Sequence, residues 1–211
     1  MLNIFKLPIL LFIFIALGCT KKIDQDTVIG IQPFSDFTTQ EFSALKDSLA
    51  IAYDCEIIIL PKAKLPERMI STIKSRRYRA DSVLNWLDRH RPDSIDIMLG
   101  ITGTDIAITK MDQKTGKIKT PASTYTDWAI FGLGRIRGHS CVVSSYRLKR
   151  KVNQSKYLTR FTRISNHEVG HVLGLRHCDN AFCLMNDANE TIKTIDKSSG
   201  KLCPQCNHSI H

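Results

Sequence analysis

"HEVGHVLGLRHC", residues 167–178, sets three histidines, a glutamate, two glycines and a cysteine within twelve positions, and most larger inferences about the chain start from it. On an α-helix, residues four apart share a face, so His167 and His171 can offer two imidazole nitrogens to one ion at about 2.0–2.1 Å. Glu168 follows about 100° around the helix, beside such an ion rather than on it, where its carboxylate can serve as a base for water. A straight helix cannot supply the third ligand of a tetrahedral site, because the next position on that face lies a full turn away. Gly174 removes the difficulty. A glycine can take the left-handed conformation that ends a helix, so that His177 returns to the ion from another side and a fourth position stays open.

Cysteines follow at once. Cys178 and Cys183 are separated by four residues and Cys203 and Cys206 by two, two clusters of the kind that close a tetrahedral structural zinc site. Thiolates are soft donors that suit zinc. The pattern is therefore read as two zinc ions, three histidines for one and four cysteines for the other, with Cys178 anchoring the neighbour of the third histidine. Two disulfides in an oxidising compartment are the alternative, although a bridge within "CPQC" would be strained. His208 and His211 are further imidazoles in the tail and read as exposed terminal residues.

The histidines need a long helix, and one is expected from Lys156 to Leu173, with Phe161, Ile164, Val169, Val172 and Leu173 burying its flanks. Phe42, Leu45 and Leu49 at helical spacing behind Thr39 predict another over residues 36–50. "CEIIIL", 55–60, is a continuous apolar run expected as a buried central strand, and "RADSVLNWLDRH", 79–90, as an amphipathic helix ending before Pro92. "SIDIMLGIT", "TDIAIT", "DWAIFGLG" and "HSCVVSSY" read as strands, and residues 110–123 as a polar loop. Cys55 and Cys141 fall in such runs and read as small core residues, while His139 is a loop histidine near the expected cleft. Strand, helix, several strands and a long helix make an α/β chain with a mixed sheet backed by helices.

The amino-terminal residues "MLNIFKLPILLFIFIALGCT" combine one lysine, an apolar stretch too short to span a membrane comfortably, and a small-residue ending before Cys19. They resemble a lipoprotein leader over residues 1–18, with Cys19 as the lipid-bearing residue of an exported, membrane-anchored protein; the alternative is an uncleaved or ordinarily cleaved signal in which Cys19 has no part. Residues 19–35 are then expected as a tether and 36–211 as one domain. The formal charge is +10 for 30 basic and 20 acidic residues. The basic runs "SRRYR" and "YRLKRK" are short, lack interleaved aromatics and read as solvated faces, so no nucleic-acid partner is expected.

Taken from residue 167 to 206, the chain resembles the archaemetzincins: the extended histidine motif, a cysteine at once, four residues, a cysteine, one residue, a methionine, seventeen residues and a final cysteine pair. "RYRADSVLNWL", "DIMLGIT", "GTDIAIT", "DWAIFGLG" and "VVSSYRL" extend the resemblance back to about residue 55. It implies a metzincin-like α/β (α+β) fold with a cleft between an upper part and a small lower subdomain stabilised by a cysteine-bound zinc. It further implies a zinc peptidase acting on peptide or protein substrates; the chain itself is expected to be a monomer. His167, His171 and His177 would hold the catalytic zinc, Glu168 would act as general base, Met185 would form a turn under the metal, and Cys178, Cys183, Cys203 and Cys206 would hold the second zinc. The leader and the segment "NDANETIK" depart from the family's pattern. The rival reading is a catalytically weak zinc-containing module that grips peptides at a membrane surface, and cleavage inside chains or from their amino ends is left open.

Overall fold

The computed structural model describes residues 22–187 and 191–211, so the expected leader and Cys19 lie outside the described residues. In chain order the elements are β1 (Val28–Pro33), α1 (Thr39–Tyr53), β2 (Glu56–Ile59), β3 (Ile70–Ser71), β4 (Arg77–Arg79), α2 (Ala80–Arg89), β5 (Ile97–Thr102) and β6 (Ile106–Ile108). They continue with α3 (Ala122–Tyr125), β7 (Trp128–Ile130), β8 (Gly132–Gly134), β9 (Ser140–Ser144), α4 (Gln154–Val172), α5 (Ile192–Lys197) and α6 (Pro204–Ile210). A five-stranded sheet in the order β2-β1-β5-β9-β8 is parallel except at β8, and a four-stranded sheet runs β3-β4-β6-β7.

The large sheet is buried on both faces, and its strands show the period of two that such burial requires. Ile97, Leu99 and Ile101 of β5, with Cys141 and Val143 of β9, point into a core shared with Leu45, Leu49 and Tyr53 of α1 and Phe161 of α4. Met98 and Val142 point the other way, against Val83, Leu84 and Leu87 of α2 and Ile106 of the small sheet. Full burial of strands like these stabilises by about 1.5–3 kcal/mol per large aliphatic side chain. The result is three layers, with the histidine-bearing helix crossing one face of the sheet.

Several expectations need correction. Residues 28–33 were expected within a tether, but they form β1, hydrogen-bonded on both sides and therefore interior to the sheet. The run is short and broken by Gly30, where a Cβ would lie 2.7 Å from Ile95 Cδ1; close packing, not flexibility, explains that glycine. Because β1 holds the inner place, "CEIIIL" is displaced to the edge as β2, and Ile59 is exposed. α1 spans Thr39–Tyr53 where 36–50 is expected, and its cap is Thr38 in place of Thr39: Thr38 Oγ1 accepts from Glu41 N, while Glu41 Oε2 accepts from Thr38 N at 2.7 Å, a complete capping box. Glu41 Oε1 also accepts from Tyr157 of α4, which ties the two helices together. "DWAIFGLG" is two strands, β7 in the small sheet and β8 in the large one, with Phe131 at the crossing.

The basic runs are also not simply solvated. Arg77 Nε donates to Asp105 Oδ2 at 2.9 Å and its Nη1 to Asp127 Oδ2 at 2.9 Å, while Arg147 grips Asp105 at 2.8 and 2.9 Å. Both aspartates are buried. Asp105 precedes β6 and Arg147 follows β9, so this network fastens the small sheet to the large one. Asp105→Ala would leave Arg147 without its carboxylate and Arg77 with Asp127 alone, and is expected to cost about 3 kcal/mol in urea unfolding. Lys62→Ala, which removes an exposed pair with Asp36, is expected to cost less than about 1 kcal/mol.

Candidate active site and metal centre

α4 carries His167 and His171 on one buried face, and its carboxyl end is closed by a Schellman turn. Gly174 has φ +100°, Gly174 N donates to His171 O at 2.9 Å, and Leu175 N donates to Gly170 O at 2.9 Å. The turn has a second effect. Leu175 O, brought back toward the helix, accepts from His171 Nδ1 at 2.8 Å, while Leu184 O accepts from His167 Nδ1 at 2.8 Å. A carbonyl can only accept, so both rings carry their proton on Nδ1 and keep the Nε2 lone pair for a ligand.

His177 completes the trio. Its ring centroid lies 5.4 Å from that of His167 and 5.0 Å from that of His171, and the three candidate ligand atoms fall within 4.8 Å of one another. Modest ring rotation closes this to the roughly 3.4 Å edge of a tetrahedral site with Zn–N near 2.0–2.1 Å. Burial holds the His167 imidazole down at about 4, with the His171 ring adding to the effect, and lowers His171 likewise. Neutral imidazoles are what a zinc ion needs.

Glu168 points to the opposite wall. A Cβ on Gly132 of β8 would stand 2.6 Å from Glu168 Cγ and 2.7 Å from its Oε1, so the strand passes this carboxylate at a distance only glycine permits. Burial pushes the carboxyl up to about 8, partly offset by a hydrogen bond from the Gly134 backbone. A cavity of about 560 Å³ opens over these groups, lined by β8 and by Leu184, Asn186 and Asp187 among others. β8 is the last strand of its sheet, and among the described residues no strand pairs with its outer edge.

The four cysteines gather below. Their sulfurs lie within 4.8 Å of one another, with Cys178 Sγ and Cys203 Sγ 3.8 Å apart. An edge of about 3.8 Å is that of a tetrahedron with Zn–S near 2.3 Å. Met185 N and Cys203 N donate to Cys183 Sγ at 3.4 and 3.3 Å, which favours the thiolate. Cys203 is drawn down to about 7, chiefly by a backbone hydrogen bond at Cys206, whereas burial pushes Cys183 and Cys206 up. One cation at the centre would favour the thiolate of all four.

"CLM" joins the two clusters. Cys183 supplies a thiol, Leu184 the carbonyl that orients His167, and Met185 a fully buried floor whose carbonyl accepts from Cys178 N at 2.9 Å. A Cβ on Gly170 would lie 2.5 Å from Met185 Sδ, so this methionine is pressed directly against the helix between the two histidines. His208 and His211 are exposed and outside both clusters, and His139 turns its Nδ1 to Asp96 O at 3.2 Å, away from the cavity. Composition and spacing did not reveal Gly132, Gly134, the two orienting carbonyls or Asp187. They meet the site through the sheet and the loop after Met185, with no signal in their local sequence.

A histidine trio beside a buried carboxylate, on a helix under a mixed sheet, is the framework of a metal-dependent hydrolase. Residues 46–211 match peptidase family M54. The archaemetzincin of Halobacterium salinarum is 27% identical over 190 residues, covering 86% of this chain and 98% of that protein. The crystal structure of archaemetzincin from Archaeoglobus fulgidus complexed with malonate is 28% identical, with a TM-score of 0.69 over 87% of this chain and all of the other. That from Methanopyrus kandleri has a TM-score of 0.71 at 23% identity, over 87% of this chain and 93% of the other. The chain belongs to peptidase family M54, the archaemetzincin zinc metallopeptidases.

The raised Glu168 carboxyl predicts a pH dependence. Between its unfolded value near 4.5 and its folded value near 8, the unfolded chain ionises this group and the native chain does not, so stability is lost as pH rises through that window. In protein without an ion at the histidines, Glu168→Gln is therefore expected to be more stable than the unsubstituted chain at pH 8. At pH 4 the two are expected to be alike, read by urea denaturation at both values.

Proposed function

We propose that this chain hydrolyses peptide bonds with one zinc ion held by His167, His171 and His177 and with Glu168 as general base. A second zinc held by Cys178, Cys183, Cys203 and Cys206 serves architecture. The observation that carries the reading is the pairing of two Nδ1-tethered imidazoles and a third from beyond Gly174 with a buried carboxylate on the open side. Zinc, when bound, supplies a Lewis acid that polarises the scissile carbonyl and makes water a better nucleophile at neutral pH.

The chain's own groups account for the remaining steps. β8 offers its outer edge to an extended substrate; Gly132 lets the strand lie close to the Glu168 carboxylate and Gly134 lets it lie against the main chain of α4. Glu168 takes a proton from the attacking water as its oxygen bonds to the carbonyl carbon, then returns it to the amide nitrogen as the C–N bond breaks. No covalent enzyme intermediate is needed. Burial favours the protonated carboxyl, and a neighbouring cation favours the carboxylate; a group poised between these two influences can both accept and donate a proton near neutral pH.

Glu168→Gln is expected to lower peptide turnover by about 10²–10⁴-fold while zinc content stays at two equivalents, one of them lost in His171→Ala. Turnover unchanged in Glu168→Gln would instead favour the peptide-gripping module. The location of the enzyme rests on "ALGC" and the apolar stretch before it: we propose an exported protein anchored through lipidated Cys19 on the outer side of a membrane. Among the described residues no helix is long and apolar enough to cross a membrane. Cys19→Ser is accordingly expected to move the protein from the membrane fraction to the soluble one after cell lysis.

A further inference from the structure

The three imidazoles are not tethered alike. His167 and His171 each give Nδ1–H to a backbone carbonyl at 2.8 Å, within the rigid frame of α4 and its turn. His177 lies beyond the turn, its side chain is half exposed, and the acceptor facing its Nδ1 is a side chain, Asp187 Oδ2, at 3.8 Å. Asp187 sits two residues after the buried Met185 and lines the same cavity as β8. Its charge raises the proton affinity of His167 and His171 and also that of Lys110, which lies over the Trp128 ring at 5.0 Å, so the carboxylate stands between the histidine trio and a cation beside the small sheet.

We propose that Asp187 is the positioning residue of the third histidine: its Oδ2 accepts Nδ1–H of His177 and so turns Nε2 toward the ion shared with His167 and His171. The proposal rests on the histidine-bound zinc described above and extends it to the ligand that, among the described residues, faces a side-chain acceptor in place of a main-chain one. The 3.8 Å separation is about 1 Å beyond a hydrogen bond, a gap that rotation of either side chain can close when Nε2 turns inward to a metal. A carboxylate in this place differs from the two carbonyls in kind. It carries a full negative charge, so it raises the basicity of the imidazole as well as orienting it, and outer partners of this type contribute about 10–100-fold to metal affinity. Asn186, its neighbour, donates Nδ2 to Cys178 O at 2.9 Å, so the segment bearing Asp187 is fastened to the residue that follows His177.

The test is metal binding rather than turnover. Cobalt(II) is titrated into the full chain, since thiolate charge-transfer absorption separates the cysteine cluster from the histidine cluster, and zinc affinity at the histidines is then read by competition with a chromophoric chelator. Asp187→Ala is expected to weaken zinc at the histidines by about 10–100-fold and leave the cysteine cluster unchanged. Asp187→Asn, which keeps an acceptor without the charge, should fall between. An unaltered cobalt–thiolate spectrum shows that each variant is folded, as expected for a half-exposed side chain on a loop. Affinity at the histidines within about twofold of the unsubstituted chain in Asp187→Ala would overturn the assignment of Asp187 alone. An unsubstituted chain that binds no ion at the histidines, or binds one equally well after His171→Ala, would overturn the metal assignment beneath it.

Discussion

A helix four residues to the step can aim two imidazoles at a point but not three, and the site depends on how the chain resolves that limit. Gly174, at φ +100°, reverses the backbone within one residue of the helix end. The reversal has three effects at once: it satisfies the terminal carbonyls of Gly170 and His171, turns Leu175 O onto the His171 ring, and sends His177 back to its partners. A side chain at position 174 would meet an unfavourable backbone conformation as well as Arg137 Cγ at 3.2 Å. The cleft, the carboxylate facing it and the thiol cluster behind it are all arranged around this turn.

The thiol cluster and the histidine cluster form one mechanical unit. Three consecutive residues, Cys183, Leu184 and Met185, serve the cysteine tetrahedron, the His167 tautomer and the floor beneath α4 in turn. Cys178 holds the far end, bonded through its backbone to Met185 and through its sulfur to the cluster. Loss of the tetrahedron would thus release the neighbour of His177 and loosen the acceptor of His167 together. Ile195 and Ile210 join this segment to the main core, and a metal ion at the four thiols would add cohesion to that packing.

The sheet has a different part in the site. β8 must lie close enough to α4 for its backbone to face the carboxylate, and the glycines at 132 and 134 permit this, the latter leaving a hypothetical Cβ 2.4 Å from Glu168 O. The Arg77–Asp105–Arg147 network then keeps the small sheet, with β7 at the cleft, in register with the large one. Charges that looked like surface decoration in a linear reading are buried struts between layers.

The amino-acid sequence alone determined the two clusters of ligand-type residues, the helix that carries the first pair, the turn after it and the family resemblance, because these follow from spacing within a few residues and from the conformational freedom of one glycine. The amphipathic helix over residues 80–89 and the strands at 97–102 and 140–144 were legible for the same reason: their periodicity is local. Tertiary structure alone decided that Val28–Pro33 is an interior strand, that "CEIIIL" stands at an edge, that Phe131 separates two sheets, and that Leu184, Leu175 and Asp187 face the three imidazoles. Each of these depends on contacts between residues far apart in the chain, or on a carbonyl that every residue possesses. Neither the type of a residue nor its spacing from its neighbours encodes that information.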